Sequence, residues 1–387
     1  MRLIKNLPDP FILQEGRRVA SIDDWHQRRA QIKDMMLNMQ YGTMPGPPEK
    51  VTLSTVEQQP LASGAVGEKL RFEFTPQKDR PDLTFTMEAT AWHPAPDALS
   101  KRREQIPAFA ANGVPTCIYV GDNHCAPLLD KGYRVICYDN SQLEPMEMGR
   151  PIVGPARTVY RQLEPERYSW GSISVWAWGA LRLVDYALSL PDTDPGQIAI
   201  SGHSRNGKTA LLAGALDERI GLVNPSGSGC AGAGSYLALG EKCEDLAALT
   251  SRQRWWAWTH ANFEQWAGRE EDLPFDQHFL MGLVAPRPLL RSEGTTDGWA
   301  NPEGTCIAFL ATQPIYDFLG IPDRNGIYFH EGGHDHTDED LTALAAFADA
   351  HFFAVPHEIN FARLLRDKTE FPPAFEWTMP LACTNKA

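Results

Sequence analysis

"QIAISGHSRNGKTALLAGALDERI", residues 197–220, decides the fold. Its first part, "QIAIS", is a brief apolar run of the kind that forms a buried strand. Its second part, "NGKTALLAGALDERI", has the composition and spacing of a helix. Ser204 stands at the junction. A serine between a strand and a helix occupies the position of a nucleophile elbow, and Gly202, two residues earlier, supplies the small side chain that a tight turn needs. The second glycine of the usual G-x-S-x-G pattern is displaced, because Asn206 holds that position and Gly207 follows. Serine is also a favoured helix N-cap. The heptapeptide alone therefore leaves two readings open, a nucleophile or a cap, and the rest of the chain must separate them.

Outward from this junction, short apolar runs ending in polar and glycine residues recur. They are "IPAFAANG" (106–113), "YRVICYDN" (133–140), "RIGLVNPSGSG" (219–229), "PRPLLRSEGTTD" (286–297) and "GIYFHEGGH" (326–334). Helical stretches lie between several of them, most clearly "WGSISVWAWGALRLVDYALSL" (170–190). Strands alternating with helices predict a mostly parallel central sheet covered by helices on both faces, a three-layer α/β sandwich. Ligands of such sheets bind beyond the carboxyl ends of the strands. Residues 1–104 read as an N-terminal elaboration of a single domain whose catalytic core spans 105–387. A charged helical pattern, "DDWHQRRAQIKDMMLNMQYG" (23–42), follows Ser21 as N-cap. Three alternating runs, "VTLSTVE" (51–57), "KLRFEFTP" (69–76) and "LTFTMEATAWHP" (83–94), predict an antiparallel extension at the sheet edge.

The bulk properties exclude several classes. The chain has 387 residues, 43% hydrophobic and 22% charged, with a formal net charge of −13 and no Lys/Arg-rich run. Nucleic-acid binding needs a basic footprint, so no nucleic-acid partner is expected. No apolar run approaches the roughly 18 residues of a membrane span, and the N-terminal segment lacks the apolar core of a signal peptide. Cytoplasmic residence is the expectation, unless a signal has been removed. A monomer is expected. The seven cysteines, 117, 125, 137, 230, 243, 306 and 383, are odd in number and include no C-x-x-C pair. Reduced, mostly buried thiols fit this better than a disulfide framework or a structural zinc site.

A serine hydroxyl needs a base within reach and an acid to orient that base. Asp297 lies in "EGTTDGWANPEG", at one strand end, and His334 and His336 lie in "HEGGHDHTDED", at the next. Ser…Asp…His is the chain order of α/β-hydrolases. His334 directly follows two glycines, which permit a tight loop over the sheet; His336 is its rival. The same segment offers His334, His336, Asp338 and Asp340 as metal ligands, or Thr337 as the cap of an acidic helix start. The serine reading uses the most of these coincidences. It calls for no metal and no cofactor.

The residues also carry a resemblance. The block 170–223, together with "DLPFDQHFLMGLVAPRPLL" (272–290), "DGWANPEG" (297–304) and "GGHDHT" (332–337), resembles carbohydrate esterase family 15, the glucuronoyl esterases and their bacterial relatives. The G-[CH]-S-R-x-G-K elbow of that group accounts for the displaced glycine. The resemblance implies an α/β-hydrolase fold. It also implies a serine carboxylic-ester hydrolase that cleaves esters between (4-O-methyl)glucuronate on xylan and lignin alcohols. By resemblance, Ser204 is the nucleophile, His334 the base and Arg205 the oxyanion ligand. Lys208, Trp299 and Glu241 would hold a uronate ester or its oligosaccharide. One departure stands out: many members carry the triad acid at a place where this chain has Gly227, in "NPSGSGCAG" (224–232). The acid must then come from elsewhere; other bacterial members carry one where Asp297 stands, which favours Asp297 over Glu293 or Glu303. Two alternatives remain: a sugar acetyl (acetyl xylan-type) esterase, and a non-catalytic carbohydrate-binding relative.

Overall fold

A computed structural model of the chain describes residues 1–111, 113–149, 153–165 and 167–381. Among the described residues nine strands form one mixed sheet. In chain order they are β1 (Lys50–Pro60), β2 (Val66–Thr75), β3 (Phe85–His93), β4 (Val114–Val120), β5 (Arg134–Tyr138), β6 (Thr193–His203), β7 (Leu222–Ser226), β8 (Leu289–Gly294) and β9 (Asn325–His330). Their order across the sheet is β9-β8-β7-β6-β4-β5-β3-β2-β1. The pairings from β9 through β5 are parallel. The pairings β5–β3, β3–β2 and β2–β1 are antiparallel. The expected antiparallel extension thus continues the catalytic sheet itself.

The helices that matter for the site are α1 (Ile22–Met36), α2 (Ser172–Ser189), α3 (Arg205–Leu216), α4 (Pro302–Phe318) and α5 (Asp338–Phe353). Ser21 caps α1 by accepting from the Asp24 backbone N–H at 3.1 Å, a contact worth about 1 kcal/mol. Side chains alternate along the central strands, as the two-residue period of a strand requires. Ile118, Val120, Ile198 and Ile200 face one core with α2 and α3, including Trp176, Trp178 and Leu211. Cys117, Tyr119, Ala199 and Leu290 face the other, with Leu341, Leu344 and Phe347 of α5. The central strands are buried on both faces, and β4, β5, β7 and β8 have no exposed residue, whereas the edge strand β1 is exposed throughout. The six described cysteines are free thiols, five of them buried; Cys383 lies outside the described residues.

One run departs from expectation. "IPAFAANG" is not a strand: Pro107–Ala111 is a short helix, and the strand is the following segment, β4. Pro107 opens the helix, where its missing N–H costs nothing. Pro115 hides β4 from a sequence reading, because proline inside a central strand forfeits a ladder bond. The sheet accommodates it with a register shift between Val114 and Thr116.

Candidate active site

Ser204 is the single residue between β6 and α3. Its backbone has φ 59° and ψ −125°, a conformation costly for a residue with a Cβ and characteristic of strained functional turns. The flanking glycines allow the turn to close. A Cβ at Gly202 would lie 2.5 Å from the Asn206 carbonyl oxygen, and one at Gly207 would lie 2.6 Å from that of Ser226. Gly207 therefore does the close packing that the displaced glycine of the motif would do. The Ser204 backbone N–H donates to the Ser226 carbonyl at 2.8 Å, tying the elbow to β7.

His334 Nε2 lies 2.8 Å from Ser204 Oγ, and His334 Nδ1 lies 2.6 Å from Asp297 Oδ2. Asp297 is 3% exposed, so its carboxylate is shielded from water. It follows β8 and caps the short turn Gly298–Ala300 by accepting from the Ala300 N–H at 3.1 Å. His334 follows β9. The nucleophile, base and acid candidates thus come from the carboxyl ends of three parallel strands.

The other candidates of the "HDHTDED" segment diverge. His336 Nδ1 lies 2.9 Å from the Tyr119 hydroxyl, and burial pushes the His336 imidazole down to about 3. Asp340 accepts from the Thr337 N–H at 2.8 Å in the capping box of α5 and meets buried His330 at 3.0 Å. Among the described residues no group of three or more His, Cys, Asp or Glu is arranged to hold a metal ion.

The triad opens into a cavity of about 190 Å³ lined by Ser204, Arg205, Lys208, Glu244, Arg254, Trp255, Trp258, Trp299 and His334, among others. Arg205 starts α3, so its backbone N–H has no intrahelical acceptor. Its guanidinium lies 5.7 Å above the Trp176 ring and donates to Met146 Sδ at 2.9 Å. Burial holds it below the ordinary arginine range. Arg254 lies over the Trp299 ring at 4.5 Å.

Lys208 is 4% exposed and its three donors are occupied. They go to the Ser228 carbonyl at 2.8 Å, to the Cys230 carbonyl, and to Glu244 Oε2 at 3.1 Å. The ammonium thus completes an internal ion pair at the cavity wall. Glu241 does not share this wall. It is exposed and lines a separate surface depression with Thr295, Thr296 and Arg366. Glu244, three residues on, is the acid that faces the catalytic cavity, because the chain turns inward to reach the cap of a short helix at Asp245. Of the two acids, Glu244 lines the cavity with Ser204 and Glu241 the separate depression.

The family described as "Glucuronyl esterase, fungi" matches residues 100–320, more than half of the chain. The chain belongs to the glucuronoyl esterase family. Among the relatives of this glucuronoyl esterase family member is carbohydrate esterase MZ0003 from an unknown prokaryotic organism. It is 29% identical over 391 residues, covering 89% of this chain and 89% of that one. A 4-O-methyl-glucuronoyl methylesterase of Phanerochaete carnosa is 29% identical over 355 residues, covering 89% and 80%. Among solved structures, a family 15 glucuronoyl esterase from Caldicellulosiruptor kristjansonii superposes with a TM-score of 0.79 at 26% identity, covering 97% and 98%.

Where many glucuronoyl esterases are expected to carry the triad acid, this chain has no room for a side chain. Gly227 has φ +49°, and a Cβ on it would lie 2.6 Å from His203 Cε1. Glu293, another acid near the site, is 1% exposed with neither carboxylate oxygen hydrogen-bonded. Burial first, and the neighbouring Asp297 charge second, push its carboxyl well above the usual range. It makes no hydrogen bond to His334, whose Nδ1 is met by Asp297.

Sequence reasoning missed Glu244, Arg254, Trp255 and Trp258. The density of tryptophan and arginine in "RQRWWAWTH" (252–260) was the one available signal for the last three. Nothing in "LGEKCE" distinguishes Glu244 from Glu241.

Proposed function

We propose that the chain hydrolyses glucuronate esters, including the (4-O-methyl)glucuronate esters that join xylan to lignin alcohols, by a serine mechanism on Ser204, His334 and Asp297. The observation that carries this reading is the cavity's composition. The Ser204 hydroxyl opens onto a wall with a buried Lys208–Glu244 pair and tryptophan rings. A carboxylate facing a cavity accepts hydrogen bonds from hydroxyl groups, and aromatic rings pack on sugar faces. Such a wall fits a polyhydroxylated acyl group better than an aliphatic one. Family membership and the named activity of the Phanerochaete carnosa relative support the same reading.

In the first half-reaction His334 Nε2 takes the Ser204 proton as Oγ attacks the ester carbonyl carbon. The carbonyl oxygen gains the negative charge. Arg205 lies beside it and offers its backbone N–H and its guanidinium. Asp297 accepts from Nδ1–H and stabilises the imidazolium. The tetrahedral intermediate collapses, the C–O bond to the alcohol breaks, and His334 returns its proton to the leaving oxygen. Water then attacks the uronoyl–serine ester by the same steps in reverse roles. Glu244, held in place by Lys208, accepts from sugar hydroxyls, and Trp299 flanks the ring.

The discriminating experiment compares benzyl glucuronate with acetylated xylan. Efficient release of benzyl alcohol with little acetate supports a uronate esterase. The opposite preference would establish a sugar acetyl esterase instead.

A further inference from the structure

A row of rings stands behind the triad. His203, the residue before the nucleophile, has its ring centroid 4.6 Å from that of His334. On its other side it stacks on His336 at 5.7 Å and 19°, and His336 stacks on Tyr119 at 5.8 Å and 12°. His203 Nδ1 lies 3.2 Å from Ser226 Oγ. Its Nε2 is buried and has no hydrogen-bond partner. The ring therefore serves chiefly as volume. Gly227 shows how tightly that volume is held: a Cβ there would fall 2.6 Å from His203 Cε1, 3.0 Å from His203 Nδ1 and 3.6 Å from His334 Cε1. The bare backbone of residue 227 leaves a notch, and the His203 ring fills it against the catalytic imidazole.

We propose that His203 is a positioning residue for the ester hydrolysis. Its ring, seated in the Gly227 notch, fixes the plane of His334 so that Nε2 stays on Ser204 while Nδ1 stays on Asp297. This rests on the reading of His334 as the base. His334 is the most exposed of the three triad side chains at 35%, against 2% for Asp297, and it sits on a glycine-flanked loop. Two hydrogen bonds hold the two ends of its ring, but they leave rotation about the line joining them to packing. The His203 side supplies that packing. Burial first, and the facing His334 charge second, hold the His203 imidazole down to about 4, against the opposite pull of Asp297, of a hydrogen bond with the His334 backbone and of Asp335. A neutral ring can lie against His334 without opposing the positive charge that His334 acquires during the reaction.

Two substitutions separate the ring from its hydrogen bond. His203→Phe keeps a ring and loses the bond to Ser226, while His203→Asn keeps a polar partner for Ser226 and loses the ring. On benzyl glucuronate, His203→Asn should lower kcat by about tenfold to a hundredfold with KM nearly unchanged, since small misplacements of a catalytic group cost that much. His203→Phe should keep kcat within about threefold of the parent, because the ring packing that orients the base persists. Melting temperatures recorded alongside identify any variant that fails to fold. Should His203→Asn not fold, His203→Gln carries the same test, since it too keeps a polar partner for Ser226 and lacks the ring. Equal kcat losses in the polar and Phe variants, or an unchanged kcat in the polar variant, would each overturn the proposal. His334→Ala is the control for the reading beneath it: activity within about tenfold of the parent there would remove His334 as the base, since general bases contribute far more.

Discussion

The two walls of the catalytic cavity are built differently. On the reacting wall Ser204 directly follows β6, Asp297 comes three residues after β8 and His334 four after β9. Those strands are parallel and mostly buried, so the candidate reacting groups are anchored at the ends of the central sheet. The recognition wall comes mostly from the segment between β7 and β8. Its regular elements there are short, such as Leu246–Thr250 and Gln277–Gly282. It is held by side-chain contacts: Lys208 to Glu244, Trp255 stacked on Trp258 at 4.9 Å, and Arg254 over Trp299. A rigid reacting wall tolerates little displacement. A wall of irregular chain can be rebuilt for a different ester without disturbing the chemistry opposite. Substitutions on the first should therefore lower kcat, and substitutions on the second should mainly raise KM.

The sharpest way to break this contrast is Asp297→Asn. Loss of the orienting carboxylate favours the wrong imidazole tautomer, and a fall in kcat of roughly 10⁴ is expected. A nearly silent variant would mean that His334 is oriented by something else. Arg205→Lys comes next. The ammonium retains charge but not the planar fork, and kcat should fall by about 10²-fold, the usual size for losing one oxyanion donor. A change confined to KM would move Arg205 to the recognition wall.

The recognition wall is tested by a pair of glutamates. Glu244→Gln should raise KM by about tenfold, because an uncharged amide accepts weaker hydrogen bonds from sugar hydroxyls. Gln keeps the shape and an acceptor oxygen for Lys208 but removes the compensating charge, so a stability loss of up to about 3–5 kcal/mol is expected beside the KM effect and the melting temperature is recorded on the same sample. Glu241→Gln should change neither kcat nor KM, as exposed positions outside a site usually tolerate exchange. Equal effects at 241 and 244 would show that the surface depression and the cavity act together on substrate.

The contrast also explains what could be read from sequence. Strand-end chemistry is legible, because Ser…Asp…His order, strand–helix alternation and glycines at the elbow are local signals. Ser204, Asp297 and His334 are the candidates those signals single out, and the structure brings them within hydrogen-bond reach. The β4 strand was missed because Pro115 masks it, and its neighbour Pro107–Ala111 was misread as a strand. On the recognition wall sequence distance carries little information. Glu241 and Glu244 differ by three residues and face different spaces, and only the turn of the chain between them decides which one lines the cavity.

The smallest expected effect concerns pH and the ring stack behind the triad. Burial holds His203 down to about 4 and His336 down to about 3, against an ordinary value of 6.5. Between those limits the unfolded chain binds protons that the folded chain refuses, so stability is full above pH 6.5 and falls as pH drops toward 4. The urea midpoint should accordingly be lower at pH 4.5 than at pH 7, and His336→Gln should reduce the difference. His278, held down to about 3 by burial, adds to the same trend, so the variant carries the test: a pH difference in His336→Gln equal to the parent's would show that the His336 ring accepts protons in the folded protein.

The most direct test of the serine mechanism is the turnover of benzyl glucuronate by Ser204→Ala, with melting temperature recorded on the same sample. Removal of the attacking oxygen should leave the melting temperature close to that of the parent and abolish benzyl alcohol release. Activity within about tenfold of the parent in a fully folded Ser204→Ala variant would contradict the mechanism, since nucleophile loss in such triads costs orders of magnitude.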